Sequence, residues 1–530
     1  MLRLTEIALP LDHDEADLER AILARLGARP AEVEEYFVRR EAIDARKKGS
    51  IRVVYAIDVA VKHEPTFRAQ HPATTWTEAP DLTYRPVTPG VTPLRHRPVI
   101  VGSGPAGLFA ALLLARMGYR PLVLERGKPV SERRADIGRF WSTGDLSPES
   151  NLHFGEGGAG TFSDGKLATT IHDPRCRKVL EELVAAGAPD DILFQAKPHL
   201  GSDRLPQIVT RLRETITALG GEIRFNSLVM GLRVSHEGIA AVDVAGQNRI
   251  EASVVILAPG NSARDTFAML WQLGVDVRAK PFSIGVRVEH PQRLIDDAQY
   301  GVEAEHPRLG AADYKVAYHA PGGRSAYSFC MCPGGLVVAS ATEANGVCTN
   351  GMSLWARDHR NANSALLVGV TPGDYPSDHP LAGIEFQRQW ERRAFAAGGG
   401  RYGAPVQLVG DFLKRRPSDA LGRVQPTYRP AVHPADLASC LPEFVADTLR
   451  LALPVFGRRL AGFDAHDAVL TGVETRSSSP VRIMRDESFE ASLGGLYPAG
   501  EGAGYAGGIM SSAVDGIRVA EAVARKYARP

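Results

Sequence analysis

The sequence predicts an α/β protein organised around a Rossmann-like domain, and two stretches carry that prediction. "PVIVGSGPAGLFAALLLARMGYRPLVLERG" reads as strand, glycine turn, apolar helix and second strand, and "GGLYPAGEGAGYAGGIMSSAVDGIRVAEAVARK" repeats strand, glycine loop and helix. At 530 residues the chain has room for two or three domains with full cores. Residues 1–66 are expected to form a small N-terminal α+β domain. In it "LRLTEIALPL" is a strand, Asp14 to Leu26 an amphipathic helix, "PAEVEEYFVRREAIDARKK" a second helix opened by Pro30, and "IRVVYAIDVAV" a strand. Residues 67–97, crowded with Pro and Thr, are a linker or an extended strap. Residues 98–280 and 481–530 then form two parts of the nucleotide-binding domain, and 281–480 is an inserted α+β substrate domain.

The totals narrow the function. Lys+Arg 62 against Asp+Glu 61 leaves a formal charge of +1, which argues against a general binder of nucleic acid or anionic membranes. Five cysteines without a CxxC or an even framework suggest reduced thiols and a cytoplasmic protein. The acidic start lacks an export signal, and the longest apolar stretch, Val99 to Ala115, falls short of the ~20 residues of a membrane helix.

GxGxxG spacing occurs four times, so context must sort the copies. Gly102, Gly104 and Gly107 follow a strand and open an apolar helix, with Glu125 closing the next strand. That is the setting of a pyrophosphate turn, and Glu125 would accept bonds from ribose hydroxyls. The copy at Gly155, Gly157 and Gly160 lacks a preceding strand. It is a flexible loop or, through Gly157 and Gly158, backbone laid against a flat ring. The copy at Gly398, Gly400 and Gly403 follows a helical run and reads as a helix C-cap. The last, Gly502, Gly504 and Gly507, has Glu501 in its turn, where a carboxylate would repel a phosphate. Glu501 suits the hydroxyls of a sugar-alcohol chain, and the helix starting near Gly508 would aim its positive end at an acceptor-rich ligand edge.

Together these residues resemble the two-domain FAD-dependent oxidoreductases with a three-layer, glutathione-reductase-type FAD fold. The resemblance implies that Gly102, Gly104, Pro105, Ala106, Gly107, Glu125 and Arg126 hold the ADP part of FAD. It implies Gly500 and Glu501 on the ribityl chain, and Gly507, Gly508 and Ile509 on the flavin O2 edge. "VVILAPGN" matches the strand that reaches Gly260, with Pro259 where the family carries Thr. "RREAIDARKK", "FGEGGAGTFSDGKL", "KPFSIGVRVEHPQ", "YSFCMCPGG" and "VETRSSSPVRI" extend the resemblance to the bacterial uncharacterised FAD-dependent dehydrogenases over nearly the whole chain. There is no second Rossmann turn for a separate NAD(P) domain, no CxxxxC pair and no "GDAAH" loop, which argues against dithiol reductases of the glutathione-reductase type and against aromatic hydroxylases.

The expected reaction is hydride transfer between flavin N5 and a small organic substrate, with NAD(P)H as an optional transient donor. Lys166 would stabilise reduced flavin, or is a solvated surface lysine. Glu474 and Arg476 offer an acid/base and a carboxylate clamp, or a structural ion pair. His199 and Asp203 orient substrate or cap a helix. Cys330 and Cys332 are a redox CxC or buried thiols, and no metal site is expected because two further ligands are missing. Arg39, Arg40, Arg46, Lys47 and Lys48 complement a helix end or contact RNA. The alternatives to the dehydrogenase are therefore a flavin-dependent RNA-modifying enzyme and a non-catalytic FAD-loaded sensor.

Overall fold

Short apolar strands buried on both faces form the inside of a parallel sheet, because only full cover by other elements keeps such runs out of water, while a polar, half-buried strand such as Glu222–Arg224 is left for its edge. The computed structural model, which describes residues 1–71 and 75–529, shows this in the order Leu496–Pro498, Val255–Leu257, Val99–Val101, Leu122–Leu124, Glu222–Arg224, all parallel. Alternate residues of one strand serve two cores. Ile100, Val123 and Ile256 point to the helices Pro105–Arg116, Gly201–Ala218 and Ile509–Lys526. Val99, Val101 and Leu257 point to the antiparallel sheet of Val229–Ser235, Gly238–Val244 and Ile250–Glu251. The sheet thus joins strands from the first third of the chain to one near its end. A Cβ on Gly516 would stand 2.1 Å from the Ala106 carbonyl oxygen, so only glycine lets the last helix cross the first this closely.

A seven-stranded sheet forms the second large unit, ordered Ala317–His319, Ser325–Cys332, Asn361–Val370, Phe282–Pro291, Val469–Glu474, Ala404–Leu408, Val432–Pro434. The helix Glu443–Arg459 packs against it through Val445, Leu449, Leu453 and Phe456.

The N-terminal sheet runs Val33–Asp44, Arg52–Val61, Leu2–Pro10, Thr77–Glu78, with the helix Glu15–Leu26 against it. This corrects the expected second helix: residues 33–44 are a strand. It pairs with the next strand from Val33↔Val61 to Asp44↔Arg52, but bulges fall between Val33 and Glu35 and between Val38 and Arg40. Each bulge inserts a residue and breaks the period of two, so the apolar positions mimic helical spacing. The expected linker is also partly ordered into this unit, since Thr77–Glu78 pairs with Leu2 and Arg3. Pro72, counted in that linker, lies outside the described residues. Farther on, Gly90 N donates to the Ala524 carbonyl at 2.8 Å and Tyr84 Oη to Glu521 at 3.0 Å, which straps the segment onto the last helix. Among the described residues no helix is long and apolar enough to cross a membrane.

Candidate functional site

Three of the chain's glycine turns meet at the C-terminal edge of the parallel sheet and form one wall of a cavity. In the first turn, Gly102 and Gly107 serve packing. A Cβ on Gly102 (φ +99°) would lie 2.3 Å from the Ala258 oxygen, and one on Gly107 would lie 1.9 Å from the Gly102 oxygen. Gly104 differs. At φ −71° its Cβ would meet nothing nearer than the Gly158 Cα at 3.9 Å, and its open side faces the cavity. As N-cap of Pro105–Arg116 it has no side chain to occupy the first-turn amides, which leaves a helix N-terminus directed at the space. The buried carboxylate of Glu125 ties the turn down: it accepts from Ser103 N (2.9 Å) and Oγ (2.8 Å), and from Gly127 N and Gly155 N (each 2.9 Å). Arg126 lies over the Phe154 ring at 4.0 Å, forked onto Asp265 (2.9 and 3.0 Å) and bonded to Glu149 (2.7 Å).

The second turn, 155–160, is held by a single buried cation. Arg133, on the helix Val130–Thr143, donates to the carbonyls of Asn151 (2.7 Å), Leu152 (2.8 Å), Glu156 (2.7 Å) and Gly158 (2.9 Å), with a longer bond to Gly155. Complete burial pushes its pKa down to about 10, against the pull of Glu125 and Glu156. The loop is therefore braced, with Gly158 packed beside Gly104 in the same wall.

The late turn completes the wall. Gly500 N donates to Asp515 (2.7 Å), itself forked by Arg485. Glu501 accepts from Asn261 Nδ2 at 2.7 Å, and burial raises its carboxyl to about 7 in spite of the Asn261 and Gly508 bonds. Gly260, Gly507 and Gly508 line the cavity, and a Cβ on any of them would meet no atom within 4 Å among the described residues, their chain neighbours aside. Gly508 leaves the N-terminus of Ile509–Lys526 uncapped by a side chain, as Gly104 does for the first helix.

The facing wall is charged. Arg287, fully buried in the strand Phe282–Pro291, forks onto Glu474 (2.7 and 3.0 Å) and donates to Asn363 Oδ1 (2.7 Å) and the Cys330 carbonyl (3.3 Å). Burial raises the Glu474 carboxyl above its ordinary range, although Arg287 opposes this. Arg476 forks onto Glu391 (2.9 and 2.9 Å), and Arg264 grips the same carboxylate (2.8 and 3.1 Å). Glu474 and Arg476 thus both line the cavity without pairing to each other; each has its own buried counter-ion. Lys166 also lines it. Its Nζ is occluded and 3.2 Å from Asp164 Oδ2, with no hydrogen-bond partner among the described residues, so the solvated-lysine alternative does not apply. Burial works against the Lys166 charge, but Cys332, Asp164 and Cys330 outweigh it and hold its pKa up.

His199 and Asp203 stand behind this wall. His199 Nε2 donates to the Trp355 carbonyl (2.9 Å) and Asp203 accepts from Trp355 N (2.8 Å), so the two hold one backbone segment, and burial lowers the His199 pKa. Among the described residues no group of three His, Cys, Asp or Glu is placed to hold a metal ion. Sequence reasoning missed His153, whose Nδ1 meets Ser262 Oγ at 3.2 Å and whose buried Nε2 has no partner among the described residues. Burial, reinforced by Arg476 and Arg133, pushes it down to about 3, so it stays neutral. It also missed Arg287 and Arg133. Arg287 left a signal, a charge inside the apolar run "PFSIGVRV", which demands a buried partner.

A protein of Clostridium beijerinckii, itself described as uncharacterized, is 46% identical over 533 residues, spanning 100% of this chain and 99% of that one. Residues 281–477 match the model of the FAD-dependent protein C-terminal domain, 100–138 an NAD(P)-binding Rossmann-like domain, and 1–60 a domain of unknown function. The chain belongs to an FAD-dependent oxidoreductase family. Weak overall likeness extends to the glycine oxidase of Geobacillus kaustophilus (13% identity, TM-score 0.35, 82% of this chain and 95% of that one). It extends equally to halogenase PltM in complex with phloroglucinol and FAD (12%, TM-score 0.36, 81% and 67%). The cavity of this flavoenzyme fits FAD on its own terms: two helix N-termini uncapped by side chains, glycines whose open sides are clear of side chains, and carboxylates at the end of a strand (Glu125) and in the late turn (Glu501).

Proposed function

We propose that this flavoenzyme is a dehydrogenase or reductase moving a hydride between flavin N5 and a small organic substrate, with NAD(P)H as an optional transient donor when it acts as a reductase. The observation that carries the reading is that one cavity has a backbone wall of glycine turns and a facing wall of buried charge. When bound, FAD supplies two-electron chemistry, while the protein binds, orients and excludes water. Gly104 and the first-turn amides would take the pyrophosphate, Glu125 the ribose, Glu501 the ribityl hydroxyls and Gly158 the ring, in a glutathione-reductase-type arrangement, whereas Gly157, also expected at the ring, turns its open side to Thr161 and Val209 and does not line the cavity. Lys166 supplies a cation to that space. Glu474, with its raised pKa, is the group suited to hold or move a substrate proton. Arg476 is committed to Glu391, so it positions Ser262 (3.3 Å) rather than clamping a carboxylate alone. His199 positions Trp355 through its side chain, and its own backbone bridges that of Lys166.

A small molecule is favoured over RNA in that two of the basic residues of the N-terminal unit are paired with carboxylates: Arg39 donates to Asp58 (2.8 Å) and Arg46 to Asp44 (2.8 Å). The test is equilibrium titration of purified, flavin-stripped protein with FAD, followed by stopped-flow reduction with NADPH or NADH. A bound, oxidised-flavin band that bleaches on mixing supports the enzyme. A band that persists supports a sensor, and a chain that binds no FAD overturns the reading.

A further inference from the structure

Within that cavity the flavin's side is matched by a second candidate redox group. Cys330 lines it with Lys166, Phe329, Asn350 and Glu474. The strand Ser325–Cys332 runs regularly against Asn361–Val370 up to Phe329, then shifts register before Cys332. At that irregularity Cys330 is held at φ +43°, a left-handed conformation that a residue with a Cβ seldom takes. The kink leaves Cys330 on the cavity and turns the fully buried Cys332 back onto it, with Cys332 Sγ donating to the Cys330 carbonyl (3.3 Å). Arg287 donates to that carbonyl from behind, and the occluded Lys166 ammonium, which has no hydrogen-bond partner among the described residues, faces the pair. Asp164 and Glu474 are the carboxylates nearby, each already engaged, by Arg357 and by Arg287.

We infer that Cys330 and Cys332 are a dithiol–disulfide couple that exchanges two electrons with the FAD of the proposed function. Cys332 supports this chemistry by lowering the Cys330 thiol well below its ordinary value through their hydrogen bond, helped by Lys166 and Arg287 against burial, while its own thiol is raised. The pair therefore enters as one thiolate and one thiol. Forming the Sγ–Sγ bond releases two electrons and the Cys332 proton, which are what oxidised flavin takes up to become its anionic reduced form. In reverse, the reduced cofactor opens the disulfide. The inference rests on the FAD reading, but its decisive readout is covalent and independent of turnover.

The experiment uses FAD-loaded protein, fully reduced with a phosphine and freed of it under argon, then oxidised in air and denatured into N-ethylmaleimide. Mass spectrometry is expected to show two of the five cysteines protected, joined in one Cys330–Cys332 peptide, and released by reduction. The disulfide should form about tenfold faster with FAD bound than in flavin-free protein. Cys330→Ser and Cys332→Ser should each abolish the protection while keeping the flavin band. Five alkylated cysteines in oxidised protein that retains its band would overturn the couple and leave FAD binding standing. An equal rate of disulfide formation with and without FAD would overturn its link to the flavin.

Discussion

The two walls of the cavity solve opposite problems. The glycine wall removes side chains so that backbone amides can approach a ligand: Gly104, Gly260, Gly507 and Gly508 face no protein atom closer than 3.9 Å. The charged wall crowds side chains into the interior and neutralises them pairwise, Arg287 with Glu474 and both Arg264 and Arg476 with Glu391. The first wall gives up side-chain contacts and chain entropy, and is specialised for binding. The second keeps its geometry only while each charge has its partner, because removing one partner strands the other in low dielectric.

The comparison breaks most sharply at Arg287. Arg287→Met should lower the unfolding free energy by about 3–5 kcal/mol, read by urea denaturation, as Glu474 loses its buried counter-ion. The double variant Arg287→Met, Glu474→Gln should recover most of that loss. A single variant within about 1 kcal/mol of the parent would mean that the pair is not the keystone of its wall.

Glycines within one turn should then separate. Gly107→Ala places a Cβ 1.9 Å from the Gly102 oxygen and should cost about 1–3 kcal/mol in thermal or urea unfolding. Gly104→Ala, at φ −71° with nothing closer than 3.9 Å, should leave the fold unharmed or about 0.4–1 kcal/mol more stable.

The last effect is a pH dependence. Glu501 is raised from the usual 4.5 to about 7, so between those values the unfolded chain gives up this proton before the folded one does. The folded state binds more protons in that window, and its contribution to stability is present below about 4.5 and lost as pH rises toward 7. The melting temperature of flavin-free protein relative to Glu501→Gln should therefore fall across the window. A flat difference would show that Glu501 is not desolvated.

The same division explains what the sequence disclosed. The turn at 102–107 and Glu125 were legible because strand, glycines, helix and acid follow each other locally. Glu501 was legible as a carboxylate where a phosphate loop cannot have one. On the charged wall Glu474, Arg476 and Lys166 were legible but their partners were not, since Arg287 and Glu474 are 187 residues apart and meet only through neighbouring strands. Arg133 escaped notice for another reason: its acceptors are carbonyls, which every sequence has. The strand Val33–Asp44 was misread because two bulges shift its apolar positions out of alternation.

The most direct test of the account is FAD affinity in Gly104→Ala, measured by equilibrium titration beside the protein's melting temperature without flavin. The account predicts an unchanged or raised melting temperature together with FAD binding weakened at least about tenfold, or 1.4 kcal/mol, because the added methyl occupies space that only the cofactor would fill. Unchanged FAD affinity in a stable variant would contradict it.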